Sequence, residues 1–304
     1  MSSDYDHVLK ELRHRCDLSS DERKALIMER SYVPHPVSRE VLLHADALVK
    51  FPKRDFPRII LVTGSPGSGK STILDRFEWM YPPPKEPLET AYIRKLLRIN
   101  VPGVVDVGAL AVRILRRLGE PYSASDRPAS LLDQAYTAME DAGVRLLALD
   151  EFHNLFLAKS QLITMMNIVR DICNELAIGL LVAGTQDAET CIVADEQLKE
   201  RSERHYLKPW TETQELRNFL ASLEARLPLR RRSSLADAEK LPLLVRYAEG
   251  RMNRMVWIVR LAACAAIDDN SECISIDHIR TAKIEFHRLR IDWALDSDLI
   301  SEAA

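Results

Sequence analysis

Glycine is scarce in this chain. Ten residues in 304 is about half the average usage of roughly 7%, and such economy is the mark of a helix-rich protein. Yet Gly64, Gly67 and Gly69 fall within six residues, so the backbone needs freedom at that spot. Cysteine is sparse as well. Cys16, Cys173, Cys191, Cys264 and Cys273 are odd in number, widely spaced and without a CxxC pair, which argues against a disulfide framework or cysteine zinc site and fits thiols of a reducing compartment. Long hydrophobic runs are missing. The longest, Val256 to Ile267, is interrupted by Arg260 and falls well short of the ~20 residues of a membrane span. Met1 to His14 is charged and lacks the apolar core of a signal peptide, so a cytoplasmic protein without membrane contact is expected. No sign of charge dominates: the formal net charge is −3, and no global basic field draws the molecule to nucleic acid or anionic lipid. Pro82-Pro83-Pro84 is the only local bias, and no internal repeat is visible.

What is present is 46% apolar and 29% charged residues, the composition of a soluble globular protein, with length for about two domains. An N-terminal arm over residues 1–50 reads as helical. Ser20 before Asp21-Glu22-Arg23 gives a capped start. Pro34 and Pro36 break the chain, and Ser38 can cap a second helix with Val41, Leu42, Ala45, Leu48 and Val49 on one face. Arg58 to Val62, ending at Gly64, is a short β-branched run suited to a strand buried on both faces of a parallel sheet. Strands over 96–101, 146–149 and 178–183 alternate with helices from Asp106 to Gly119, from about Pro128 to Ala142, and over 160–176. This alternation predicts a doubly wound α/β domain over residues 51–210. After Trp210 the pattern turns wholly helical, over 211–226, 235–249, 253–268 and 277–290. That predicts an all-α unit over residues 211–295 and a tail over 296–304.

The chemistry concentrates at Gly64-Ser65-Pro66-Gly67-Ser68-Gly69-Lys70-Ser71, the pattern GxxxxGK[ST] with a strand before it and a helix after it. Backbone N–H groups of such a loop wrap a β-phosphate, the following helix aims its positive end at the same anion, and glycines permit close approach. Lys70 then neutralises the β- and γ-phosphates, Ser71 ligates Mg²⁺, and Thr72 can touch the α-phosphate. A glycine-rich turn without ligand is the bland alternative, and the strand–helix context argues against it. A second carboxylate-bearing strand is expected. Leu146-Leu147-Ala148-Leu149-Asp150-Glu151 places two acids at a C-terminal strand edge, where ligands bind in open α/β sheets. Asp150 would hold Mg²⁺ through water, and Glu151 would polarise the attacking water as general base. Alone these acids could merely cap the next segment; paired with the loop they point to hydrolysis chemistry.

Other residues carry less specific signals. Thr185, in Gly184-Thr185-Gln186-Asp187, could hydrogen-bond the water or γ-phosphate if its strand neighbours that of Asp150, or it could simply cap a helix. His153 contacts a partner or DNA, or is a surface histidine without a role. Arg201 and Arg204 precede a strand over His205 to Leu207 and could act on a neighbouring subunit's γ-phosphate; a solvated charge run is the alternative. Arg251 and Arg254 begin a helix of the all-α unit, where one could reach back over the nucleotide. Arg230-Arg231-Arg232 is a solvated loop or a phosphate contact.

The order of these parts resembles an AAA+ ATPase: nucleotide loop, Asp-Glu strand, polar strand end, trans-arginine region, helical lid. More narrowly the chain is similar to the TniB/TnsC family, ATPase regulators of DNA transposition that work beside a DDE transposase. The likeness rests on Tyr32-Val33-Pro34-His35-Pro36 with Phe51-Pro52-Lys53-Arg54, on Asp150-Glu151-Phe152-His153-Asn154, on Ala183-Gly184-Thr185, and on Asp195-Glu196-Gln197-Leu198 through Arg201 to Pro209-Trp210. It covers about residues 20 to 290 and implies a P-loop AAA+ parallel-sheet core with an N-terminal helical arm and a C-terminal helical lid. It also implies ATP and Mg²⁺ as cofactors, with Gly64 to Thr72 binding nucleotide and Ser71 and Asp150 the metal. Glu151 would be the base, Thr185 sensor 1, Arg201 the finger and Arg254 sensor 2. Ser202 stands where the family has an aromatic, which leaves Arg204 open as the finger, and Arg251 competes with Arg254. The implied partners are double-stranded DNA, a TniA/TnsB-like transposase, a target-selection adaptor and further copies of the chain in a ring or filament. Tyr92-Ile93-Arg94-Lys95 with Arg98, and Arg113, Arg116 and Arg117, are the candidate DNA contacts, with solvated helix faces as the alternative. A signalling or defence NTPase that switches a protein effector without touching DNA is the competing function.

Overall fold

The computed structural model describes residues 5–51, 58–83, 93–103, 106–123, 125–157 and 162–289. The chain divides into two compact units, Met1–Pro36 with Pro209–Ala304, and Val37–Lys208. The arm expected over residues 1–50 is therefore shared between them, and residues 296–304 lie outside the described residues, as do Pro52 to Arg54 and Tyr92.

The second unit is built on a parallel five-stranded sheet in the order β2-β3-β4-β1-β5. Its strands are β1 Ile59–Gly64, β2 Leu96–Asn100, β3 Leu146–Asp150, β4 Gly179–Gly184 and β5 Ser202–Leu207. β1, β3 and β4 are buried at every residue. That is why they read as continuous apolar runs without alternation, each large side chain contributing about 1.5–3 kcal/mol by leaving water. β5 is an edge strand that alternates, with Arg204 and Tyr206 exposed and His205 and Leu207 buried, and its polar first half hid it from the apolar pattern. Helices α3 (Lys70–Met80), α4 (Val107–Leu118), α5 (Pro128–Asp141) and α7 (Leu162–Glu175) follow the expected pattern. Asp106 caps α4 through the Ala109 N–H, and Gly119 (φ 81°) closes it. Three short helices, α6 (Asn154–Leu157), α8 (Gln186–Ala194) and α9 (Glu196–Glu200), carried no clear period. Helix α2 (Pro36–Lys50) starts at Pro36, a residue suited to a first helical turn. Ser38 is inside it and buried, so Ser38 is not a cap.

The other unit is helical. A 3₁₀ helix, Lys10–Asp17, precedes α1 (Ser20–Met28). The cap of α1 is Ser19, not Ser20. Ser19 Oγ accepts from the Glu22 N–H while Glu22 accepts from the Ser19 N–H, because only Ser19 has a glutamate three residues on. Then come α10 (Gln214–Glu224), α11 (Lys240–Ala248), α12 (Met252–Asp268) and α13 (Ile276–Arg288). The helix expected from residue 235 begins at Lys240. Leu235 is buried as a loop residue, and the Glu224 carboxylate holds that loop by accepting the N–H groups of Ser233, Ser234 and Leu235. Ile27 and Val33 join this unit's core with residues of α10 to α13. Arg260, the residue that interrupts the longest apolar stretch, donates from Nη2 to the Glu29 carbonyl at the end of α1, 2.6 Å away. No helix among the described residues is long and apolar enough to cross a membrane.

Candidate functional site

Because all five strands are parallel, their C-terminal ends share one edge, and register fixes what gathers there. Thr63 lies opposite Gly184, Gly64 opposite Leu207, and Asn100 opposite Asp150. With β4 between β1 and β3, the loop after Gly64, the Thr185 strand end and the Asp150-Glu151 pair form one rim.

The loop geometry follows from its glycines. Gly67 (φ 76°) and Gly69 (φ 102°) are left-handed, a conformation that costs other L residues roughly 1–2 kcal/mol. A Cβ at Gly64 would stand 2.7 Å from Ser68 Oγ and 2.9 Å from the Leu207 carbonyl oxygen, so that glycine admits close approach and not a turn. Gly69 sits at the N-cap of α3 and offers no side chain to its first N–H groups, which leaves the positive helix end open to an anion. Lys70 is 7% exposed, and its Nζ donates to the Gly64 and Ser65 carbonyls at 2.9 and 3.1 Å. Burial pushes its pKa down, while the Glu151 and Asp150 carboxylates pull it back up. A polyphosphate would give this ammonium the counter-charge that the loop carbonyls only imitate. Ser68 Oγ is buried with no hydrogen-bond partner among the described residues. Ser71 and Thr72 are exposed at the start of the helix.

Asp150 is 3% exposed. One carboxylate oxygen accepts the Glu151 N–H at 3.0 Å and the other accepts Arg98 Nη2 at 2.9 Å. Glu151 adopts φ 55°, a left-handed conformation uncommon outside glycine. Its Oε2 lies 3.3 Å from His153 Nε2. His153 is therefore drawn toward the acid pair, with its side chain 21% exposed. Its Nδ1 is buried without a hydrogen-bond partner among the described residues, and its backbone packs on Gly184, where a Cβ would meet His153 N at 3.2 Å. The signal in the sequence was its position two residues beyond Glu151.

Thr185 stands between the two halves. It occupies the N-cap position of α8, yet its hydroxyl donates to Asp187 Oδ2 at 3.4 Å and caps no backbone N–H. Arg201 does not share this rim. It precedes β5, its carbonyl accepts the Ile59 N–H, and its guanidinium reaches Asn174 Oδ1 at 3.0 Å. Five register steps along β5 separate this end from Leu207 and Gly64, roughly 16 Å at ~3.3 Å per residue. Arg204 is exposed in mid-strand and pairs with Glu189 at 3.3 Å. Arg254, in the helical unit, donates to Glu249 Oε2 at 2.7 Å, and Arg251 lies 4.0 Å from the same carboxylate.

Two of the expected DNA contacts are corrected. Arg94 is 5% exposed and donates to the Leu96 and Arg117 carbonyls. Arg98, on β2, is drawn in by Asp75 and Asp150. Carboxylates on the neighbouring elements, not a nucleic-acid backbone, satisfy the latter. Arg117 pairs with Glu78, and Arg116 stacks over Tyr122; Lys95 and Arg113 are exposed. Arg230 and Arg231 belong to a loop bonded to Cys16, Ser271 and Glu272.

A parallel sheet with helices, a glycine-cradled lysine after its first strand and paired acids on the same rim define a P-loop protein of the AAA+ fold. Solved structures of that fold agree. The Cdc6p protein of Pyrobaculum aerophilum superposes with a TM-score of 0.60 at 18% identity, covering 86% of this chain and 70% of its own. The Aeropyrum pernix ORC2 protein, solved as ADPNP–ADP complexes, gives 0.57 at 19% identity, covering 88% and 74%. The Aeropyrum pernix ORC1 protein in complex with DNA gives 0.58 at 17% identity, covering 87% and 69%. The profile described as "Bacterial TniB protein" matches residues 23–212, and the chain belongs to the TniB family. A search of curated proteins gives no match.

Proposed function

We propose that this protein is an ATP-dependent, DNA-binding oligomeric regulator of DNA transposition, which recruits a DDE transposase to its target. One observation carries the reading: in a chain of the TniB family, a phosphate loop and an Asp-Glu pair stand on one sheet edge. The Lys70 ammonium and the N–H groups of Gly67 to Lys70 bind the β- and γ-phosphates, Ser68 Oγ gains a partner, and Thr72 contacts the α-phosphate. Ser71 and Asp150 offer the oxygen donors that suit Mg²⁺, with Asp150 acting through water. That ion would screen phosphate charge and orient the leaving group. Glu151 accepts a proton from the attacking water, with His153 holding its carboxylate, and Thr185 donates to the water or the γ-phosphate.

Arg201 completes the site of a neighbouring copy, with Arg204 as the competing finger, and Arg254, or Arg251, acts as the second sensor. The relatives named above as bound to ADPNP, ADP or DNA lend support to nucleotide and DNA as ligands. With a net charge of −3, DNA binding must come from a local stripe repeated by assembly, and it must weaken steeply with salt.

The test is a mobility shift on duplex DNA with ATP, with ADP and without nucleotide. Binding that needs ATP and falls with salt is expected, and Glu151→Gln should lock the assembled state. ATP-dependent binding to a protein effector with no DNA shift would favour a signalling switch instead.

A further inference from the structure

Helix α2 and strand β5 bring together four residues that the nucleotide site does not use. Glu40 and His44 are four apart on α2, so they share a helix face. Glu203 and His205 are two apart on β5, so they share a strand face. Where the two faces meet, His44 Nδ1 lies 2.5 Å from Glu203 Oε1, and His205 Nε2 lies 3.4 Å from the same oxygen. The ligating atoms of His44, Glu203 and His205 all fall within 4.8 Å of one another. The two rings are 5.7 Å apart between centroids.

One ring nitrogen of each imidazole is left unsatisfied by this arrangement. His44 Nδ1 and His205 Nε2 are both buried and have no properly aligned hydrogen-bond partner among the described residues. The His205 side chain is 5% exposed, and its orphaned nitrogen points into the cluster. A neutral imidazole offers the lone pair of such a nitrogen to a metal.

We propose that His44, Glu203 and His205 bind a divalent transition-metal ion of the zinc class, clamping α2 onto the exposed edge strand. Two imidazoles and a carboxylate select such an ion over magnesium or calcium, which take oxygen donors. Zinc sits about 2.0–2.2 Å from nitrogen and oxygen ligands, which sets tetrahedral ligands roughly 3.4 Å apart, the spacing already present between His205 Nε2 and Glu203 Oε1. Glu203 and His44 are partly exposed, 38% and 34% in their side chains, and can open their closer contact while admitting the ion. The Nδ1 of His205 lies 3.7 Å from Glu40 Oε2, beyond a hydrogen bond but near enough for that carboxylate to close in as the outer partner of a metal-bound histidine. A fourth position remains for water. Val62 of β1 is the register partner of His205, so the ion would stabilise the strand that leads into the phosphate loop.

The experiment uses the full chain without a histidine tag, stripped with a chelator and free of nucleotide. Co²⁺ titration should produce the intense visible bands of tetrahedral coordination at one ion per chain, and Zn²⁺ should displace them at micromolar concentration. His44→Ala and Glu203→Gln should abolish the bands, and Glu40→Gln should weaken binding about tenfold. Far-ultraviolet circular dichroism of each stripped variant checks the fold, and Glu203→Gln, at the more exposed ligand, serves if His44→Ala unfolds. Absence of the bands in the parent chain, or bands that survive in the folded Glu203→Gln variant, would overturn the proposal.

Discussion

Arg98 Nη2 lies 2.9 Å from Asp150 Oδ2 while its Nη1 reaches Asp75. The acid assigned to the metal is thus held from below by a guanidinium whose side chain is 13% exposed. Arg98→Gln leaves a buried carboxylate unpaired, and we expect a loss of about 2–4 kcal/mol, discounted from the usual ~3–5 because Asp75 is partly exposed. Urea denaturation measures it. Arg98→Lys should recover less than half, since a point charge cannot span two carboxylates as the planar fork does. A variant as stable as the parent would show that the pair is idle.

Gly64→Ala tests the loop. A methyl group 2.7 Å from Ser68 Oγ and 2.9 Å from the Leu207 carbonyl must displace the loop or β5. Overpacking of this kind ordinarily costs about 1–3 kcal/mol, so the chain should fold with a lowered melting point. Binding of a fluorescent ATP analogue should fall at least tenfold. Unchanged affinity in the folded variant would count against close approach at this position.

The helical unit carries its own buried pair. Arg23 Nη1 and Nη2 donate to the two Glu272 oxygens at 2.7 and 2.8 Å. Burial pushes the Glu272 pKa up, but the hydrogen bond from Arg23, the Arg230 N–H and both arginine charges outweigh it, and the net shift is downward from 4.5. A lowered folded pKa means stability that is present above the unfolded value and lost as pH falls through the folded one. Arg23→Met should therefore destabilise by about 3 kcal/mol near neutrality, and the difference from the parent should shrink below about pH 4.5. Denaturation curves between neutral pH and pH 3 follow it; a gap constant over that range would contradict the assignment.

Much of the sheet and its loop was legible because buried parallel strands leave unbroken apolar runs such as Ile59 to Val62, and because the phosphate loop is a local motif. What escaped depended on contacts distant in sequence. Ser202 to Arg204 read as a charge run, although β1 recruits them as the start of an edge strand. Arg98 looked like a surface cation until β2 was set beside β3. Leu235 mimicked a helix start because its burial comes from a loop tied to Glu224. Ser19 and Ser20 were separable in the sequence itself, by the glutamate at position 22.

His153 offers a test of positioning at the acid pair. With Nε2 3.3 Å from Glu151 Oε2, it is placed to steer that carboxylate. His153→Ala should lower kcat about tenfold, equivalent to ~1.4 kcal/mol, with KM for ATP within twofold. His153→Gln, which keeps a donor, should restore part of the rate. An equal rise in KM would place His153 in nucleotide binding instead.

Arg201 precedes Ser202, and five register steps of ~3.3 Å, roughly 16 Å of strand, separate Ser202 from the loop end of β5, so any γ-phosphate that Arg201 completes belongs to a second copy. This makes a mixing experiment decisive. Lys70→Ala chains should be inactive because they bind no ATP, and Arg201→Ala chains should be inactive because no finger reaches the neighbour. Mixed in equal amounts, some interfaces join the intact loop of an Arg201→Ala chain to the intact Arg201 of a Lys70→Ala chain. Hydrolysis should then recover to a sizeable fraction of the parent rate, where a trans arginine is worth ~10³ or more. Running the same mixture with Arg204→Ala in place of Arg201→Ala distinguishes the two arginines. Arg204 is held to Glu189 on α8 in mid-strand, and we expect that single variant to keep most of its activity unmixed. Recovery seen only with the Arg204→Ala mixture would move the finger to Arg204, and recovery in neither, in mixtures whose chains sediment together with ATP, would confine catalysis to a single chain.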